Sequence, residues 1–179
     1  KKAAHIQVTK TSTGGDTGQF NFTGGLGNFS ITTLLPDVPA DSFFDVFVAV
    51  GGEPLSVTET VPTGWSVDNG TCNLATVMPG STHSCNFTNT KLPQLTVTKI
   101  VVNDNGGTKV VADFPLFIDA TPVTSGVTNI STLGLHTISE TSQAGYISTI
   151  GGDCAADGSI TLSAGDKKNC TITNDDIAP

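Results

Sequence analysis

The chain has 179 residues and a net charge of −8, and all eight of its cations are Lys. It is long enough for one domain or two, and it lacks the clustered basic surface that nucleic acid requires. Thr, Val and Ile are plentiful, Gly and Pro recur about every 8–12 residues, and no long stretch keeps a helical period, so the chain reads as all-β.

In chain order, the first predicted strands are His5–Lys10, Gln19–Phe22, Asn28–Thr33, Phe43–Val50, Ser56–Thr60, Gly64–Val67 and Ser84–Asn89. Turn signals such as Gly14-Gly15-Asp16 and Gly51-Gly52 separate them. A short connection, Thr90-Lys91-Leu92-Pro93, follows. The second predicted set is Leu95–Val102, Asp113–Ile118, Val127–Ile130, Gly134–Glu140, Tyr146–Ile150, Ser159–Leu162 and Asn169–Asn174. Short strands at this spacing predict two β-sandwich domains, 1–91 and 92–179. The brief Pro-containing linker predicts that they lie end to end. After Asn174 the chain runs Asp175-Asp176-Ile177-Ala178-Pro179 and stops where a third repeat would begin, which reads as a piece of a longer array or a tail that engages a neighbour.

The four cysteines fall two per repeat, Cys72 and Cys85, then Cys154 and Cys170. Neither a Cys-x-x-Cys nor close His partners suggests zinc, so one disulfide per domain and an oxidising compartment are the simpler reading. No signal peptide or transmembrane run is present, and Lys1 is expected to follow a removed leader.

The two halves repeat one pattern. Val8-Thr9-Lys10, Glu59 and Cys85-Asn86-Phe87-Thr88-Asn89 answer to Val97-Thr98-Lys99, Glu140 and Cys170-Thr171-Ile172-Thr173-Asn174. Strand alternation puts Lys10 on the face of Ile6 and Val8, and Lys99 on that of Leu95 and Val97. Glu59 shares a face with Val57, Glu140 with Ile138, Asn89 with Phe87 and Asn174 with Ile172. Burying six polar side chains costs several kcal/mol apiece unless they serve each other. Burial favours a neutral Lys amine, a nucleophile, and a protonated Glu that can polarise the Asn amide. Attack on that amide with loss of ammonia would leave a Lys–Asn isopeptide bond, with Glu59 and Glu140 shuttling protons and no cofactor required. A buried Lys–Glu ion pair capped by Asn, without a covalent bond, is the alternative.

Glu59-Thr60-Val61-Pro62-Thr63-Gly64-Trp65 resembles the E-box (Glu-Thr, then Pro, then Gly-aromatic) of collagen-adhesin B-type, or prealbumin-like, domains in bacterial surface proteins and pilins. The resemblance implies two tandem Ig-like/prealbumin-like sandwiches, with Lys10, Glu59 and Asn89 as one triad and Lys99, Glu140 and Asn174 as the other. In the second copy, Glu140 to Tyr146, Ala144 is read in the place of the Pro. The Cys-x-x-x-Asn ending resembles Cys-containing repeats of large bacterial surface proteins, and no Leu-Pro-x-Thr-Gly sorting signal is present.

Other signals carry less. His136 matches Leu55 of the first repeat and reads as a packing position, and His5 and His83 have no evident partner. Asn103-Asp104-Asn105-Gly106-Gly107 has the oxygens of half a calcium loop but neither its spacing nor its distal Glu, and reads as a turn. Asn-x-Ser/Thr sequons occur at Asn21, Asn28, Asn69, Asn86, Asn129 and Asn169. Phe43-Phe44 with Val46, Phe47 and Val48 reads as core, or else as a strand edge that pairs with another subunit. No hydrolase, metalloprotease or phosphate-loop motif is present. The sequence therefore predicts an extracellular stalk, pilus-like or filament subunit that self-associates or continues into further repeats. The competing readings are an adhesin gripping a ligand with loops Pro36–Ser42 or Thr121–Gly126, and an accessory domain of a secreted enzyme.

Overall fold

The computed structural model describes residues 2–178, with 57% of the chain in strands and 2% helical. The chain divides into two compact units, Lys1–Lys91 and Leu92–Pro179. Lys1 and Pro179, the outermost residues of the expected domains, lie outside the described residues.

The first unit contains β1 (Ala4–Thr13), β2 (Gln19–Gly24), β3 (Phe29–Thr32), β4 (Ala40–Val46), β5 (Glu53–Thr60), β6 (Trp65–Val67), β7 (Thr71–Val77) and β8 (Thr82–Lys91). They form two four-stranded sheets, β4-β1-β8-β6 and β3-β2-β5-β7. The central pair of the first sheet joins the unit's first strand to its last, and it is parallel. Parallel neighbours cannot be joined by a hairpin, and here the whole second sheet intervenes in sequence. The inward residues Ile6, Val8, Phe20, Phe22, Val57 and Phe87 make the core. Their spacing of two follows the pleat.

The second unit repeats this plan. Its strands are β9 (Gln94–Val102), β10 (Leu116–Ile118), β11 (Thr121–Val123), β12 (Thr128–Ile130), β13 (Gly134–Glu140), β14 (Tyr146–Gly152), β15 (Ser159–Leu162) and β16 (Lys167–Asp176). Its sheets run β12-β9-β16-β14 and β11-β10-β13-β15, and β9 is again parallel to β16. Strand for strand, β9 answers to β1, β13 to β5 and β16 to β8.

Two strands escape the sequence reading. Thr71–Val77 is β7, an edge strand whose half-exposed residues do not alternate cleanly, and its partner β5 has a register shift between Glu53 and Leu55. Thr121–Val123 is β11, a three-residue edge strand closing a hairpin with β10. Asp113 is not in a strand as expected. It ends a single 3-10 turn, Val111–Asp113, whose carboxylate accepts the Val110 amide. The Phe43–Val50 segment is also corrected. Its strand runs Ala40–Val46, with Phe44 and Val46 packed on the core and Val48 buried beyond it, while Phe43 and Phe47 are exposed.

Candidate functional site

The parallel pairing of first and last strands fixes the site. In the first unit Lys10 lies opposite Phe87 and Ser12 opposite Asn89, so Lys10 and Asn89 sit one same-face step apart. In the second unit Lys99 lies opposite Ile172 and Val101 opposite Asn174, which is the same offset. The acid comes from the facing sheet. Glu59 pairs with Phe22 across β5 and β2, and Glu140 with Leu116 across β13 and β10. Each triad therefore spans both layers of its sandwich.

Burial is nearly complete: Lys10 and Asn89 are 0% exposed and Glu59 is 5% exposed. The Lys10 amine donates to Asn89 Oδ1 at 2.5 Å and faces Glu59 Oε2 at 3.3 Å. Asn89 Nδ2 donates to Glu59 Oε1 at 2.5 Å. The acid thus grips the nitrogen that would leave, while the amine meets the carbonyl it would attack. In the second triad Lys99 donates to Asn174 Oδ1, and its amine lies 2.6 Å from Glu140 Oε2. There the carboxyl approaches the nucleophile instead.

Burial sets the electrostatics. It pushes the Lys10 amine below the usual lysine range, against the opposing pull of the Glu59 charge. It pushes the Glu59 carboxyl up, while Lys10 and the Asn89 hydrogen bond pull it back. Lys99 is likewise lowered by burial, with Glu140 opposing. In the first triad these shifts favour a neutral amine beside a protonated acid, the forms that amide exchange needs.

Two residues that the sequence reading passed over complete the site. The Phe20 ring covers the Lys10 amine at 4.2 Å, and Phe114 covers Lys99 at 4.4 Å. Each is two residues before the strand position opposite the acid, Phe22 or Leu116. Each is met edge-on by the E-box aromatic, Phe20 by Trp65 at 5.2 Å and Phe114 by Tyr146 at 5.4 Å. The repeat itself held the signal: a Phe at matching points, just ahead of β10 and just inside β2.

The E-box is a turn that returns this aromatic to the site. Trp65 donates its amide to the Pro62 carbonyl and Tyr146 to that of Gln143. Gly64 and Gly145 hold φ of 84° and 83°, a left-handed conformation that glycine adopts without strain. Matching the turns corrects the sequence reading: Gln143, not Ala144, stands in the place of Pro62. The hydrogen bond uses a backbone carbonyl, so it survives the exchange.

Disulfides join Cys72 to Cys85 and Cys154 to Cys170. Cys85 lies opposite Val8 and Cys170 opposite Val97, so each last-strand cysteine sits on the inward face that carries its Asn. Cys72 is on β7, so the first bridge ties the two sheets together rather than pinning a loop. Cys154 lies in the connection between β14 and β15.

The histidines depart from expectation in part. His136 is buried as expected, but it bonds Asp119 and Thr132. His5 is exposed yet pairs with Asp45 at 2.6 Å, and His83 meets the Ser81 hydroxyl at 2.8 Å. In the Asn103–Gly107 turn, Asp176 accepts the amides of Asn105 and Gly107. Asp104, Asp175 and Asp176 lie close enough to share a cation, but the Asp176 oxygens are already used by these amides. Among the described residues no helix is long and apolar enough to cross a membrane.

No curated protein matches the chain. Among solved structures it is similar to the major pilin protein of Streptococcus pyogenes, at 14% identity and a TM-score of 0.35, covering 97% of each chain. It is similar to the Bacillus anthracis TIE protein at 16% identity and a TM-score of 0.39, covering 99% of this chain and 34% of that one. A streptococcal ancillary pilin is similar at 12% identity and a TM-score of 0.39, covering 100% of this chain and 64% of that one. The family model described as a prealbumin-like fold domain matches residues 6–76, from the first inward residue of β1 into β7. The match over residues 6–76 agrees with the resemblance read from the E-box, which lies within that span, and the second unit repeats the strand order of the first.

Proposed function

We propose that this chain is an extracellular structural module, a stalk or pilus-like subunit, whose only chemistry is to cross-link itself. Lys10 attacks the side-chain carbonyl carbon of Asn89, and Lys99 that of Asn174. Each attack forms a C–N bond, breaks the C–N bond to the amide nitrogen and releases one ammonia. Glu59 and Glu140 take the proton from the amine and deliver one to the leaving nitrogen, and end as they began. The observation that carries this reading is the twofold occurrence of one buried geometry: amine against amide oxygen, on parallel first and last strands, with an acid from the facing sheet. A purely structural ion pair would not need the amide at the same offset in both units.

The disulfides fit an oxidising, extracellular setting. Self-association into filaments is part of the proposal, in keeping with such a module, and electron microscopy of purified protein distinguishes filaments from monomers.

Intact mass under reducing conditions tests the chemistry. The expected result is a mass two ammonia molecules below that of the sequence. Glu59→Ala and Glu140→Ala should each restore one ammonia while circular dichroism still reports β structure. A full-sequence mass in the folded wild-type protein sinks the reading and leaves the buried ion pair in its place.

A further inference from the structure

Beyond the two triads, one buried ionisable group is arranged in a way that packing does not require. His136 projects inward from β13 and is 7% exposed. Its Nδ1 lies 2.9 Å from Asp119 Oδ2, and its Nε2 lies 2.9 Å from the Thr132 carbonyl. A carboxylate and a carbonyl can only accept, so both contacts are hydrogen bonds only when both ring nitrogens carry protons. A neutral imidazole has one N–H and must turn a lone pair on one of these oxygens. A donor within reach of that lone pair is the Thr132 hydroxyl, at 3.4 Å from Nε2.

The groups joined by the ring belong to separate segments. Asp119 occupies the turn between β10 and β11 with φ of 53°, a left-handed conformation unusual for a residue with a side chain. Its Oδ1 accepts the Thr137 amide at 3.0 Å, and its own amide donates to the Thr137 carbonyl at 2.7 Å. Thr132 lies in the connection between β12 and β13, which belong to different sheets. A cavity of about 240 Å³ opens beside them, lined also by Thr121, Val123 and Asn129. On its lining, Asn129 Nδ2 donates to the Val127 carbonyl at 2.9 Å.

We propose that His136, Asp119 and Thr132 form a proton-gated clasp that holds one end of the second sandwich shut in mild acid and loosens it as the ring loses its proton. On deprotonation Nε2 exchanges the Thr132 carbonyl for the Thr132 hydroxyl, and the β12–β13 connection shifts to allow it. Asp119 is the charged side chain that bonds the ring among the described residues. Strands β10, β11, β12 and β15 carry no ionisable side chain. Glu140, at the far end of β13, is engaged by Lys99 of the facing sheet. The remaining charged residues of that sheet, Lys167, Lys168, Asp175 and Asp176, lie on β16. Consistent with the geometry, the Asp119 hydrogen bond raises the ring above its ordinary range, and burial opposes it only in part. A raised histidine contributes stability that is complete below its unfolded value, about 6.5, and lost as pH rises through the folded one.

The test is an NMR titration of His136 in the full 179-residue protein, with hydrogen exchange at the Thr137 amide corrected for intrinsic rates. The expected result is a ring that stays protonated above the ordinary histidine range. Thr137 protection should fall with rising pH by up to about tenfold per unit between the unfolded and folded titration points. Asp119→Asn, which keeps an acceptor for the Thr137 amide, should return the titration to the ordinary value or below and flatten the protection profile. A wild-type ring that titrates at or below the ordinary value, or Thr137 protection that ignores pH, overturns the clasp.

Discussion

Lys10 shows how far single residues can be read without coordinates. Its alternation with Ile6 and Val8 placed it on the apolar face, and the same logic placed Glu59 and Asn89, so their burial was legible from spacing, while their grouping as one triad drew on the E-box resemblance. Phe20 was not, because Phe20-Asn21-Phe22 reads simply as core. Its position over the amine depends on the distance between sheets, which no spacing along one strand encodes. His136 was legible as buried but not as bonded, since Asp119 comes from the separate β10–β11 turn and Thr132 from the loop leading into its own strand. The covering ring leads to a prediction at this scale. Phe20→Ala opens the Lys10 amine to water, restores its ordinary basicity and should slow ammonia loss, seen by mass spectrometry of freshly synthesised protein. Phe20→Leu, which keeps the site dry, should cross-link much as the wild type does. Equal rates in all three proteins would remove the ring from the chemistry.

Among the elements, β7 shows what polar edge strands conceal. Thr71–Val77 packs on one side only, so its pattern is blurred and its role emerges only through Cys72. The Cys72–Cys85 bridge links the two sheets over a sequence separation of 13. Replacing both cysteines by Ser should cost about 3 kcal/mol in the chain-entropy picture, measured by denaturant unfolding of a Lys10→Ala background in which no amide contributes. The ends of the last strands are held differently in the two units. Lys91 reaches Asp16 at 3.0 Å and lies over the Trp65 ring, whereas Asp176 accepts amides from the Asn103–Gly107 turn. Burial raises the Asp176 carboxyl, but the amide hydrogen bonds outweigh it and the net shift is downward. A depressed carboxylate contributes stability that is present above its unfolded value, about 3.9, and lost as pH falls through the folded one. Hydrogen exchange at Asn105 and Gly107 should therefore accelerate in acid, and Asp176→Asn should remove that acid dependence.

For the whole molecule, the parallel pairing of first and last strands decides how tension would pass through. A pull on the two ends of a unit shears β1 along β8 and loads the ladder between them together. With an amide from Lys10 to Asn89, the pull crosses at that bond and the 79-residue separation between them bears none of it. Single-molecule stretching in reducing buffer should show no extension from this segment in the wild type. Lys10→Ala should add roughly 260–280 Å, at about 3.3–3.6 Å per residue. The same pairing bears on how such a chain arose. Because β1 and β8 point the same way, each unit receives the backbone at one end of its sheet and releases it at the other. A unit built so can be copied in tandem with no return segment, and a duplicated gene yields a longer protein whose new part is already correctly threaded.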